Sequence, residues 1–292
     1  MSDATPDDEM EASSAPLIEH LAELRTRIMW SLAAFVIAMM ACFFVAEPLL
    51  NFLVQPIAET LRNLGQDPRL IFTAPQEKFF VLFRIAVLGG LALAFPVIAH
   101  QMWRFVAPGL YKNEKRAFLP FIIASPVLFL AGAAFAHYVV TPLAMNFFIG
   151  FSDLLPSITD LMTSSDPVDV QNEELATFFL GSVRESLDIT LKFIFAFGLC
   201  FQLPVLMTLL GMAGIVTAEA MRRMRKYAVV AILTLAAVVT PPDVITQVIL
   251  FTVVYLLYEI SIFLVASVEN KREARLRAEG YYDDEDEAKA GE

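Results

Sequence analysis

Charge, cysteine and histidine are all scarce in this sequence. Asp, Glu, Lys and Arg make up 18% of its 292 residues, against about 25% in a typical soluble domain. Both cysteines, Cys42 and Cys200, fall in apolar runs. They read as small buried hydrophobes and supply neither a disulfide framework nor a metal cluster. His20, His100 and His137 stand far apart, with no spacing that fits a zinc site. "HLAEL" at His20–Leu24 is not the HExxH of a zinc hydrolase, and no GxxxxGK[ST] phosphate loop marks an NTPase. A G-x-S-x-G elbow is also missing. Ser31, Ser125, Ser186 and Ser261 have no obvious base to pair with. An enzyme is therefore not expected, nor any cofactor or metal. The chain also lacks an internal repeat, the strict alternation of a membrane barrel and the paired broken spans of a solute transporter.

What is abundant is apolar surface. The chain is 57% hydrophobic, with a mean hydropathy of +0.62. The excess lies in blocks near twenty residues long, the length that crosses about 30 Å of hydrocarbon as helix. Helices satisfy their own backbone hydrogen bonds in lipid, so the expected class is an all-α polytopic membrane protein. Six spans are predicted, at 28–46, 79–102, 117–140, 189–212, 227–239 and 244–266. They form a membrane domain over 28–266, between a cytoplasmic N-terminal segment, 1–27, and an acidic cytoplasmic tail, 267–292. The start "MSDATPDDEM" lacks the positive n-region of a signal peptide, so the first span is expected to be retained.

The net charge of -11 describes tails and one loop, because 24 of the 32 acids lie in 1–23, 153–188 and 269–292. That distribution gives no reason to expect a nucleic-acid partner. Fifteen of the 21 basic residues fall in 1–27, 103–116, 213–226 and 267–292. By the positive-inside rule those segments face the cytoplasm, which puts both ends inside. Of the outer segments, "LLNFLVQPIAETLRNL" within 47–78 is amphipathic and predicts a short helix lying on the surface. Span five, with 13 residues, reaches only about 20 Å. Span six meets Glu259 after 15 uncharged residues. Such mismatch is met by bilayer thinning, snorkelling or association with another helix.

Three polar patches remain. In "PLIEHLAELRTRI", Leu17, Leu21, Leu24 and Ile28 share one helical face, while Glu23 stands four residues before Arg27. The pattern suits a surface helix with local ion pairs worth a few tenths of a kcal/mol, and it equally suits a binding helix. In "FVAPGLYKNEKR", Pro108 and Gly109 break the helix, and Lys112, Lys115 and Arg116 crowd around Glu114. That is either a turn rich in positive charge or a carboxylate held ready for a guest. "TPPDVITQ" forces a rigid hairpin between the last two spans.

Those patches, taken with "FTAPQEKFFVLFRIAVLGG", "FPVIAHQMWRFVAPGLYKNEKR" and "FGLCFQLPV", run in order from about residue 16 to about 266. Together they resemble the TatC family, the multispanning subunit of the twin-arginine, Sec-independent, protein translocase. The resemblance implies six helices in a curved, glove-like arrangement in the bacterial inner membrane. It implies a subunit that binds twin-arginine signal peptides of folded proteins at the cytoplasmic face. It also implies single-span TatB- and TatA-type partners, export driven by the proton-motive force, and a homo-oligomer within a larger complex. By position it assigns Glu23 and Glu114 to the signal-peptide arginines, with Phe105 and Arg25 beside them. It places Pro56, Asp243 and Gln202 among polar or partner contacts in the membrane domain, to which the charge-interrupted sixth span adds Glu259. The sequence departs from the family at Gln202, where members often carry glutamate. An amide hydrogen-bonds but does not carry charge. A secondary transporter and a membrane-embedded hydrolase are the readings from other classes. The charge-poor middles of the spans argue against the first, and the missing nucleophile–base pair against the second.

Overall fold

The computed structural model describes residues 6–106, 119–150, 181–240 and 244–278, with side chains from Leu21 onward except at 103, 105–106, 119–120, 275–276 and 278. These residues are helical almost throughout. The elements are α1 (Pro6–Phe44), α2 (Ala46–Asn63), α3 (Glu77–Val106), α4 (Leu119–Phe135), α5 (Val183–Cys200), α6 (Leu203–Met212), α7 (Ala218–Arg223), α8 (Arg225–Val239) and α9 (Val244–Ala278). α4 continues through a π-helical turn, Ala136–Val140, into a helical stretch at 141–150. Among the described residues the sole β-type pairing is an isolated bridge between Ile71 and Ser182.

Five stretches are long and apolar enough to cross a membrane: Leu21–Phe44, Glu77–Met102, Phe121–Gly150, Val183–Met212 and Val244–Ala274. The predicted fifth span corresponds to α8, whose 15 residues rise only about 22 Å. Three predicted boundaries change. The third span runs ten residues past Val140, because the π turn lets the Thr141 N–H reach the Ala136 carbonyl and carries the helix across Pro142. The fourth span starts earlier, at Val183, and is interrupted at Phe201–Gln202. Pro204 has no N–H for the Cys200 carbonyl, and the Gln202 N–H bonds three residues back to Leu199 at 2.9 Å. The sixth helix extends from Val244 to Ala278.

The chain divides into two compact units. The first comprises Met1–Ala46 and Phe83–Val127. Its α1 and α3 backbones approach so closely at Gly90 that a Cβ there would lie 2.5 Å from Met39 Cα. Only glycine permits such contact, which in lipid stands in for the missing hydrophobic drive between helices.

The second unit comprises Glu47–Leu82 and Leu128–Glu292. Its core gathers Phe193 and Phe197 of α5, Ala136 and Val140 of the π turn, and Leu250, Val254 and Val265 of α9. Tyr258 is buried there because its hydroxyl donates to the Met221 carbonyl at 2.8 Å. The amphipathic helix α2, expected as a short helix lying on the surface, keeps Asn51, Gln55, Glu59 and Arg62 exposed. It packs Ile57 and Leu61 against Met145, Ile149 and Ile189. Its apolar face is covered by protein.

Candidate functional site

In the first unit, α1 and α3 line an open groove of about 390 Å³ with Leu24, Arg27, Leu32, Ile98, Gln101 and Met102, among others. Glu23 and Arg27, one helical turn apart, form an ion pair with Nη2 2.8 Å from Oε1. Arg27 Nη1 donates to Gln101 Oε1 at 3.2 Å. Gln101 thus fixes the guanidinium from the neighbouring helix, and the guanidinium in turn fixes the carboxylate. The second oxygen of Glu23 takes no hydrogen bond among the described residues. The Arg27 Nε is buried without an acceptor, so the site holds an unmet donor beside a half-used carboxylate. Chemically, it can accept a cation at Glu23.

Of the other residues expected to serve a signal peptide, Arg25 is exposed. It stands two positions past Glu23, beside Thr26, Met29 and Trp30, away from the Glu23–Arg27 pair. Phe105 lies in the last turn of α3, but its side chain is outside the described residues, as are Glu114 and Asp243.

The remaining sequence-assigned residues belong to the second unit and occupy separate settings. Pro56 is buried inside α2, where its carbonyl accepts from Thr60 Oγ1 at 2.9 Å. Gln202 stands at the α5–α6 break, on the wall of a cavity of about 850 Å³. Glu259 pairs with Arg225 at 2.8 Å.

Two residues escaped the sequence reading. Gln101 sits inside a quoted motif, and its signal was an amide at the end of an apolar span. Glu77 is 4% exposed and receives hydrogen bonds from four donors. These are the backbone N–H and hydroxyl of Thr73, the Ala74 N–H and the Ser182 hydroxyl. It clips the segment before α3 to the start of α5, next to the bonds from Ile71 N to Gly181 O and from Val183 N to Ile71 O, both 3.0 Å. The signal was a Thr–Glu pair at the head of a helix. Among the described residues no group of His, Cys, Asp and Glu is placed to hold a metal ion.

A family model described as "Sec-independent protein translocase protein (TatC)" matches residues 19–252. The chain belongs to the TatC family. A TatC protein of Magnetococcus marinus is 40% identical over 279 residues, covering 93% of this chain and 94% of its own. The TatC of Aquifex aeolicus is 39% identical over 249 residues, covering 85% and 94%. A crystal structure of the twin-arginine translocase receptor TatC aligns with a TM-score of 0.69 at 35% identity, covering 86% of this chain and 99% of that one. This TatC family member is a multi-pass membrane protein and a protein translocase subunit, a transport component and not an enzyme.

Proposed function

We propose that this TatC family member binds the paired arginines of twin-arginine signal peptides at the cytoplasmic face, with Glu23 and Glu114 as the acceptors. The observation that carries the reading is the half-used Glu23 carboxylate, held in place by Arg27 and Gln101. A guest guanidinium meets a carboxylate already oriented, so less side-chain freedom is lost on binding. An Arg–carboxylate pair fixes direction as well as charge. The apolar groove beside Arg27 would take a neighbouring apolar side chain of the guest. Phe105 adds an aromatic surface, and Arg25 repels a guest approaching in the wrong register.

The rest of the reading follows from family membership and the distribution of basic residues. Six spans cross the bacterial inner membrane, α8 included, with residues 1–27 and the tail 267–292 inside. TatB- and TatA-type single-span subunits and further copies of this chain complete the complex. Gln202, Glu259, Asp243 and Pro56 serve its polar and partner contacts, and the proton-motive force drives export of folded cargo.

The test is titration of an Arg-Arg signal peptide, and of its Lys-Lys counterpart, into the full chain in lipid nanodiscs. Losing one charged hydrogen bond removes about 1.5–3 kcal/mol. Glu23→Gln and Glu114→Gln should therefore each weaken Arg-Arg binding about ten- to a hundredfold. The Lys-Lys peptide should bind weakly to the native chain, because lysine lacks the planar fork. Native-like affinity in both variants, with Arg-Arg still preferred, would overturn the assignment.

A further inference from the structure

Lys192 lies nine residues into α5, inside the span Val183–Met212. It is exposed and makes no hydrogen bond or ion pair among the described residues. A cation within a membrane span is costly, and such residues mark functional sites by default. Among the described residues Lys192 is also the one charged group on the wall of the 850 Å³ cavity of the second unit. The rest of that wall is mainly apolar, with Ala196, Leu199 and Leu206 from α5 and α6 facing Leu235 and Val238 of α8.

We propose that this cavity is a binding site for an anionic phospholipid, with an acyl chain against α5, α6 and α8 and the phosphate on the Lys192 ammonium. Charge sets the class of ligand: one positive group at an apolar wall suits an anion carried on a hydrocarbon body. Water alone fills such a space poorly, because a bound water needs two to four polar partners. The cavity's volume of about 850 Å³ falls in the small-molecule range of about 300–1,000 Å³. The lysine stem suits the role, since it lies along apolar surface while its head reaches for the headgroup layer. The inference does not depend on the signal-peptide reading, and its test involves no peptide.

The experiment is native mass spectrometry of the full chain released from nanodiscs of equal parts phosphatidylglycerol and phosphatidylcholine. The native chain should retain phosphatidylglycerol over phosphatidylcholine by about tenfold, the scale of one charged hydrogen bond. Lys192→Gln should abolish that preference, and Lys192→Arg should keep it. Ala196→Trp, which fills the cavity, should shed the lipid whatever its headgroup. The proposal is overturned if the native chain shows no preference, if Lys192→Gln leaves the preference intact, or if Ala196→Trp keeps its lipid. It is equally overturned if these variants leave lipid binding unchanged and instead release a co-purified single-span subunit, since the cavity would then belong to a protein partner.

Discussion

Gly90→Ala tests how packing supports the Glu23 site. A Cβ at this position would lie 2.5 Å from Met39 Cα and 2.7 Å from Met39 N, where carbon contacts are comfortable at about 3.5–4.0 Å. Both atoms are backbone, so no side-chain rotation relieves the clash. The helices must part by about 1 Å, and overpacking of this kind costs about 1–3 kcal/mol. The effect reaches the site because Arg27 lies on the same helix as Met39, about 18 Å away at about 1.5 Å per residue. Its 3.2 Å bond to Gln101 has little slack before it passes out of hydrogen-bonding range. Gly90→Ala should therefore lower the thermal midpoint in detergent and weaken Arg-Arg peptide binding. Two controls separate the causes. Gly132→Ala meets the Phe197 carbonyl oxygen at 2.5 Å within the second unit, so it should destabilise as much while sparing peptide affinity. Gly150→Ala meets nothing within 4 Å among the described residues and should be neutral, or stabilising by up to about 1 kcal/mol through helix propensity. The reasoning fails if Gly90→Ala matches the native chain in both midpoint and affinity, or if Gly150→Ala destabilises as much as the other two.

Two further perturbations address the second unit. Glu77→Ala removes the acceptor shared by Thr73, Ala74 and Ser182. The Ile71 and Val183 amides should then exchange hydrogen faster, while amides in the middle of α9 keep their native rate; unchanged exchange at both would show that the clip is dispensable. A double-mutant cycle on Arg225 and Glu259, whose side chains are 46% and 32% exposed, should give a coupling of no more than about 1 kcal/mol that shrinks with salt. A coupling well above that, insensitive to salt, would mean that the pair is sealed from water in the membrane.

The helical class and the Glu23–Arg27 pair were legible because both rest on local patterns, long apolar runs in one case and a four-residue spacing in the other. Gln101 was not legible as the group that fixes Arg27, since only the approach of α3 to α1 brings it there. The reach of the third span was hidden by Pro142, which reads as a breaker until the π turn before it is seen. The division of span four was written in "FQLP", but a proline two residues past a polar amide also suits an unbroken helix with a kink. For α2 the pattern gave the helix and its apolar face correctly. It could not say what covers that face, because lipid and protein interiors select the same residues. Glu77 was passed over because one carboxylate at the head of a helix commonly serves only the helix dipole. Its bond to Ser182 joins residues 105 apart.

The most direct test of the signal-peptide reading is site-directed crosslinking. Single cysteines at Ala22 and Met102, beside Glu23 and the α1–α3 groove, would be placed in a chain carrying Cys42→Ala and Cys200→Ala. A third, at Phe263, which is 73% exposed in the second unit, serves as the reference. Each would be offered an Arg-Arg signal peptide bearing a thiol-reactive photoprobe, and then its Lys-Lys counterpart. Crosslinks at Ala22→Cys and Met102→Cys that disappear with Lys-Lys, with Phe263→Cys silent, are the predicted result. Crosslinks at Phe263→Cys equal to those at Ala22→Cys and Met102→Cys, or labelling indifferent to Lys-Lys, would contradict it.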